Sequence, residues 1–147
     1  MKIGICSDHR GFYMKSVILE YLEHSGYEVI DFGTDSDESV DFPVYAFKLG
    51  DAISKKKVNF GIAICGTGIG MSKALNKVKG VYCAKISSIN EAVLCRQHNN
   101  ANAIAFSADI DQELAKEMVD KFLETTFLDA DKYKRRNKMI KDREKND

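Results

Sequence analysis

The sequence has no tryptophan and one proline, and its 22 Lys and Arg are matched by 22 Asp and Glu. Each scarcity removes a class of function. A formal net charge of zero at pH 7 argues against a generic polyanion binder, whose basic excess should show in the sum. Cys6, Cys65, Cys83 and Cys95 lie 59, 18 and 12 positions apart, so no CxxC pair exists to seed a zinc site or a redox dithiol. The three histidines, His9, His24 and His98, lack the HxxxH or HExxH spacing that puts two imidazoles on one helix face. No protein-held metal and no cofactor is expected. No apolar run approaches the roughly 18 residues of a membrane span. The start, Met1-Lys2-Ile3-Gly4-Ile5, reads as a strand without the apolar stretch and cleavage site of a signal peptide. A cytoplasmic protein with reduced thiols and no membrane partner is the expectation.

What remains is one globular domain. With 147 residues, 44% of them hydrophobic, the chain is long enough for one full core and too short for two comfortable ones. Short β-rich runs, Ile3 to Cys6, Tyr27 to Asp31, Phe60 to Cys65, Val81 to Ile86 and Ala103 to Phe106, alternate with amphipathic stretches. Met14, Val17, Ile18, Tyr21 and Leu22 make one helical stripe, and Leu114, Met118 and Phe122 another. Phe42, Tyr45, Ala46, Leu49, Ala52 and Ile53 form a third, and Ile89, Ala92 and Val93 a fourth. Gly26 stands where a helix C-cap belongs and Pro43 where a helix begins. Such alternation implies right-handed βαβ crossovers, hence an α/β fold with a mainly parallel five-stranded sheet covered on both faces. The expected strand order is 2-1-3-4-5.

In such sheets ligands bind beyond the carboxyl ends of the strands, and the chemistry-bearing residues gather where strand runs stop. The first run leads into Ser7-Asp8-His9-Arg10-Gly11, the third into Cys65-Gly66-Thr67-Gly68-Ile69-Gly70, and His98-Asn99-Asn100 lies just before the fifth. These three segments are expected to converge in one cleft. The glycine loop is neither a dinucleotide fingerprint nor a P-loop. The fingerprint's third Gly is Met71, Lys85 and Ile86 stand where its acidic residue belongs, and no Gly-Lys-Ser/Thr follows Gly61 or Gly66. It reads either as a tight βα turn or as a turn of N–H groups that binds an anionic oxygen. Cys65 alone reads as a buried structural thiol. Beside oxyanion donors and the Thr67 hydroxyl it is also equipped to remove a proton alpha to a carbonyl. His98 is a structural imidazole or a site residue, Asp8-His9 a helix cap or part of the same cleft, and His24 solvated.

Together these segments resemble one family. Ser7-Asp8-His9 with Gly11, Tyr27 to Thr34, Asp41-Phe42-Pro43, Cys65 to Gly70, Asn76-Lys77, and Arg96 to Asn99 with Ala101-Asn102 are similar, in order, to the ribose-5-phosphate isomerase B / galactose-6-phosphate isomerase family. Asp8-His9 and His98-Asn99 favour the ribose-5-phosphate isomerase B branch. The resemblance implies a three-layer α/β/α Rossmann-like sandwich and a homodimer, or a dimer of dimers, with active sites at the interface. It implies metal-free aldose–ketose isomerisation of a phosphosugar, an intramolecular oxidoreductase reaction through a cis-enediolate, with ribose 5-phosphate and ribulose 5-phosphate as first choice. Carried over, Cys65 is the base, His98 assists ring opening, and Thr67 with the backbone of Gly66, Gly68, Ile69 and Gly70 holds the enediolate. Asp8 and Asn99 bind sugar hydroxyls, His9 faces the phosphate, and Lys132 and Arg136 contribute positive charge to it.

Three positions depart from that pattern: Asp109 and Lys132 stand where the family has arginines, and Phe42 where a tyrosine is common. Another phosphosugar, a hexose 6-phosphate or a tetrose 4-phosphate, is therefore the first alternative, and a non-catalytic sugar-phosphate-binding subunit the second. Residues 1–130 read as the isomerase domain with a net charge of −4. Residues 131–147 read as a basic helical extension, eight basic side chains against four acidic, that contacts the dimer partner. Nucleic-acid binding by this tail is not expected, because Tyr133 is its one aromatic residue.

Overall fold

A computed structural model describes residues 1–146; Asp147, the end of the predicted extension, lies outside the described residues. Five strands, β1 (Lys2–Ser7), β2 (Glu28–Asp31), β3 (Phe60–Cys65), β4 (Cys83–Lys85) and β5 (Ala103–Ser107), alternate with helices. The helices are α1 (Phe12–His24), α2 (Phe42–Ser54), α3 (Ile69–Leu75), α4 (Ile89–Gln97), α5 (Gln112–Glu124) and α6 (Asp131–Lys145). All four strand pairings are parallel. The predicted strands fall on the observed ones to within two residues at either end. Gly26 turns the chain after α1 with φ 93°, and Pro43 lies in the first turn of α2.

The sheet order is β2-β1-β3-β5-β4, which corrects the expected 2-1-3-4-5 at one edge. The burial of the two strands explains the exchange. Ala103, Ile104, Ala105 and Phe106 of β5 are all buried, and this strand is paired on both sides, with β3 and with β4. By contrast β4 has three residues, none fully buried, and ends on exposed Lys85, the profile of a short and charged edge strand.

The period of two along β3 divides the core. Ile62 and Ile64 face α1, α4 and α5, where Ile18, Leu22, Met118 and Phe122 pack, whereas Ala63 and Cys65 face α2 and α3 with Leu49, Met71 and Leu75. Helices thus cover both faces, giving three layers. Two helix starts are capped by side chains: Ser88 Oγ accepts from Glu91 N–H at α4, and Asp111 Oδ2 accepts from Glu113 and Leu114 N–H at α5. No helix among the described residues is long and apolar enough to cross a membrane.

One charge is buried inside this frame. Lys15 of α1 is 1% exposed, and its Nζ donates to both carboxylate oxygens of Asp31, at 2.7 and 2.8 Å, and to the carbonyl of Thr34 at 2.6 Å. The three bonds tie α1 to the end of β2 and to the loop beyond it. Removing the carboxylate strands a buried cation, whereas removing the cation also removes the need for a partner. Asp31→Ala is therefore expected to cost about 3 kcal/mol of unfolding free energy in urea, and Lys15→Met less than that. A larger loss for Lys15→Met would contradict this account.

Candidate active site

Parallel strands place the ends of β1, β3 and β5 side by side, and three loops leave from that edge. The β1 loop is held by Asp8, 7% exposed, whose Oδ1 accepts from Gly11 N–H at 3.0 Å at the threshold of α1. The next residue, His9, accepts from Val40 N–H at its Nδ1, 3.1 Å away. With that nitrogen used as acceptor, the neutral ring carries its proton on Nε2 and presents a donor.

At the end of β3, Cys65 is 5% exposed and its Sγ accepts from Gly68 N–H at 3.1 Å. Gly68 adopts φ 82°, and a Cβ there would lie 2.8 Å from the Phe106 backbone. Only glycine meets both demands, and without this turn the N–H would not reach the sulfur. Thr67 Oγ1 accepts from Ile69 N–H at 3.1 Å, which leaves the hydroxyl proton free to donate outward from an exposed side chain. The N–H groups of Thr67 and Gly70 have no acceptor among the described residues. From β5, Ser107 Oγ donates to the Gly66 carbonyl at 2.8 Å and accepts from Asp109 N–H at 3.0 Å, locking the loops together. The Phe42 ring stands over Gly70 from the first turn of α2.

The other three thiols are held in the protonated form by burial. Burial pushes Cys83 up to about 12 and Cys95 up to about 11, and it holds Cys6 well above its ordinary value.

One expected neighbour is missing from this edge. Because α4 runs antiparallel to the strands, its last residue, Gln97, and the following His98-Asn99 sit at the amino edge of the sheet. There Asn102 accepts from Gly61 N–H at the start of β3, and a cleft of about 480 Å³ joins Asn59 and Phe60 to Asn99, Asn100 and Asn137. The six residues of β3, at about 3.3 Å each, put roughly 20 Å between this segment and Cys65. The predicted convergence of three segments in one cleft of one chain is thus corrected. Asp8, His9, Cys65, Gly66, Thr67, Gly68, Ile69 and Gly70 share the carboxyl edge; His98 and Asn99 do not.

The amino edge gathers the remaining candidates. The Tyr133 ring of α6 stacks on His98 with centroids 4.5 Å apart and an interplanar angle of 14°. Lys132 Nζ lies 5.0 Å from the Tyr133 centroid, and Asn137 Nδ2 donates to the His98 carbonyl at 2.9 Å. Arg136 stands next to Asn137 and is exposed, as are Lys132 and Asn99. Tyr133, Asn137 and Ser107 take part in holding the two clusters and were not legible as such. Tyr133 and Asn137 lie one helical turn apart, but a turn of α6 names no partner until the loop it meets is known.

Residues 3–140 match the family described as Ribose/Galactose Isomerase. Ribose-5-phosphate isomerase B of Escherichia coli (strain K12) is 45% identical over 123 residues, 83% of each chain. The structure of Clostridium thermocellum ribose-5-phosphate isomerase B superposes with a TM-score of 0.96 over 99% of both chains, at 41% identity. That of the Mycoplasma genitalium enzyme with bound ribulose-5-phosphate gives a TM-score of 0.93 at 38% identity, covering 98% of this chain and 96% of that one. With residues 3–140 matched by the family and relatives of 38 to 45% identity covering most of the chain, the chain belongs to the ribose/galactose isomerase family.

Proposed function

We propose that this protein interconverts ribose 5-phosphate and ribulose 5-phosphate, with Cys65 as the base, in a site completed by a second copy of the chain. The observation that carries the reading is the Cys65 thiol at the end of β3, with Gly68 N–H on its sulfur and the Thr67 hydroxyl and two unpartnered N–H groups beside it. Family membership and a relative bound to ribulose-5-phosphate support the substrate.

Isomerisation needs a base that takes the C2 proton and returns it to C1, and donors that hold the enediolate between the two steps. The Cys65 thiolate takes the C2 proton as the C1 carbonyl becomes an enediolate oxygen, O1. Thr67 Oγ1–H and the loop N–H groups from Gly66 to Gly70 donate to O1. The proton of the C2 hydroxyl then passes to O1, the C2 carbonyl forms, and the Cys65 thiol returns its proton to C1, leaving the thiolate for the next cycle. Asp8 accepts from a sugar hydroxyl, and His9 turns its Nε2–H toward the phosphate.

The second half of the site comes from the other edge of the sheet, so another copy supplies it. His98, held by the Tyr133 ring, exchanges protons with the ring oxygen during opening; Asn99 binds a hydroxyl; Lys132 and Arg136 pair with phosphate. Exposed Val44 and Phe47 on α2, and Met139 and Ile140 on α6, supply apolar surface for such an association. In this reading 131–147 is the part of the domain that reaches the partner.

Cys65→Ala is expected to lower kcat by at least about a thousandfold and to stop exchange of the substrate C2 proton with solvent, with the fold intact by circular dichroism. Full exchange in that variant rules the base out. Mixing inactive Cys65→Ala and His98→Ala proteins is expected to restore about a quarter of wild-type activity, since half of randomly assorted dimers carry one intact site of two. No recovery under conditions where subunits exchange would contradict the shared site. A higher kcat/KM on a hexose 6-phosphate or a tetrose 4-phosphate would displace the substrate assignment.

A further inference from the structure

Arg10 has no task in the fold. Its side chain is exposed, it makes no hydrogen bond or ion pair among the described residues, and its guanidinium lies over Gly66: a Cβ built there would be 3.6 Å from Arg10 Cζ. Lys15, five positions on, shows the contrast, since it is buried and fully used by Asp31 and Thr34. A free guanidinium resting on the residue next to the Cys65 thiol is positioned for a ligand.

We propose that Arg10 is the residue of the carboxyl edge that binds the phosphate group of the substrate, and so sets the preference for phosphorylated sugars. The inference rests on the phosphosugar reading above. Around Gly66 close three segments, residues 7–11, 65–70 and 107–109. Apart from His9, Arg10 is their one basic side chain, against the carboxylates of Asp8 and Asp109. The enediolate already has donors in Thr67 and the loop N–H groups, and the sulfur has Gly68 N–H. A phosphate monoester, with close to two negative charges at neutral pH, meets from this edge only His9 and Arg10, of which Arg10 alone carries a guanidinium, the partner's edge adding Lys132 and Arg136. The planar fork of a guanidinium bonds two phosphate oxygens at once, and that of Arg10 lies beside the Gly66 turn. Asp109, beyond Ser107 on the β5 side of Gly66, repels an anion, so the phosphate is drawn to the β1 side.

The test compares wild type with Arg10→Ala and Arg10→Lys, using inorganic phosphate as the probe by calorimetry and as a competitive inhibitor. Arg10→Ala is expected to weaken phosphate binding and raise KM for ribose 5-phosphate by about 10- to 100-fold, with kcat within about threefold. Arg10→Lys should fall between, because it keeps the charge and loses the fork. Turnover of unphosphorylated ribose should not change. Undiminished phosphate binding in Arg10→Ala, or a fall in kcat with KM and phosphate inhibition unaltered, overturns the inference. If wild type fails to isomerise any phosphosugar, the proposed function falls, while the calorimetric comparison still decides what Arg10 binds.

Discussion

The constraint on which this structure turns is the polarity of a parallel sheet. When every strand points the same way, every strand-to-helix loop leaves from one edge and every helix-to-strand loop enters at the other. The thiol, the glycine turn and the Asp8-His9 pair all follow strands and so share an edge. His98-Asn99 follows a helix and cannot join them within one chain. The division is a matter of chain direction, and no side-chain rearrangement undoes it. On the proposed reading it is also why association belongs to the chemistry: one copy carries a base without its acid, and the other carries the acid without its base.

Most of the architecture was legible because periodicity reports burial directly. The alternation in β3, with isoleucines toward α1, α4 and α5 and small residues toward α2 and α3, is the kind of pattern that a single sequence displays. Strand order is different in kind. β4 and β5 are both short and apolar, and the sequence separation of two strands does not say which lies at an edge; that depends on the exposed Lys85 and on the double pairing of β5, both tertiary facts.

The site divides in the same way. Cys65 and the glycine turn are contiguous, so their meeting could be read from spacing, and Gly68 confirms the turn through its left-handed backbone. His98 could be singled out as a candidate, but its place was not legible, because being close to a strand in sequence does not say which of the strand's two ends is near. Ser107 and Tyr133 act by touching segments 41 and 35 positions away, Gly66 and His98. Contacts of that separation leave no trace in local pattern.

The last helix differs from the other five in having no buried side chain at all. It is located by recognition of a few groups: the stack of Tyr133 on His98, Asn137 on the His98 carbonyl, and Gly80 N–H donating to Glu144. Its remaining surface is unconstrained by the core. For an evolving lineage this makes α6 a region of cheap experiment, where changing exposed Arg136 alters charge without touching the core. Residues 1–130 enjoy no such latitude, since a change at Cys65, Gly68 or Asp8 disturbs hydrogen bonds that the fold and the site share. Diversity of substrate within such a scaffold should therefore accumulate at the amino edge, its helix and exposed positions such as Arg10, while the hydrogen-bonded Asp8, Cys65 and Gly68 of the thiol edge stay the same.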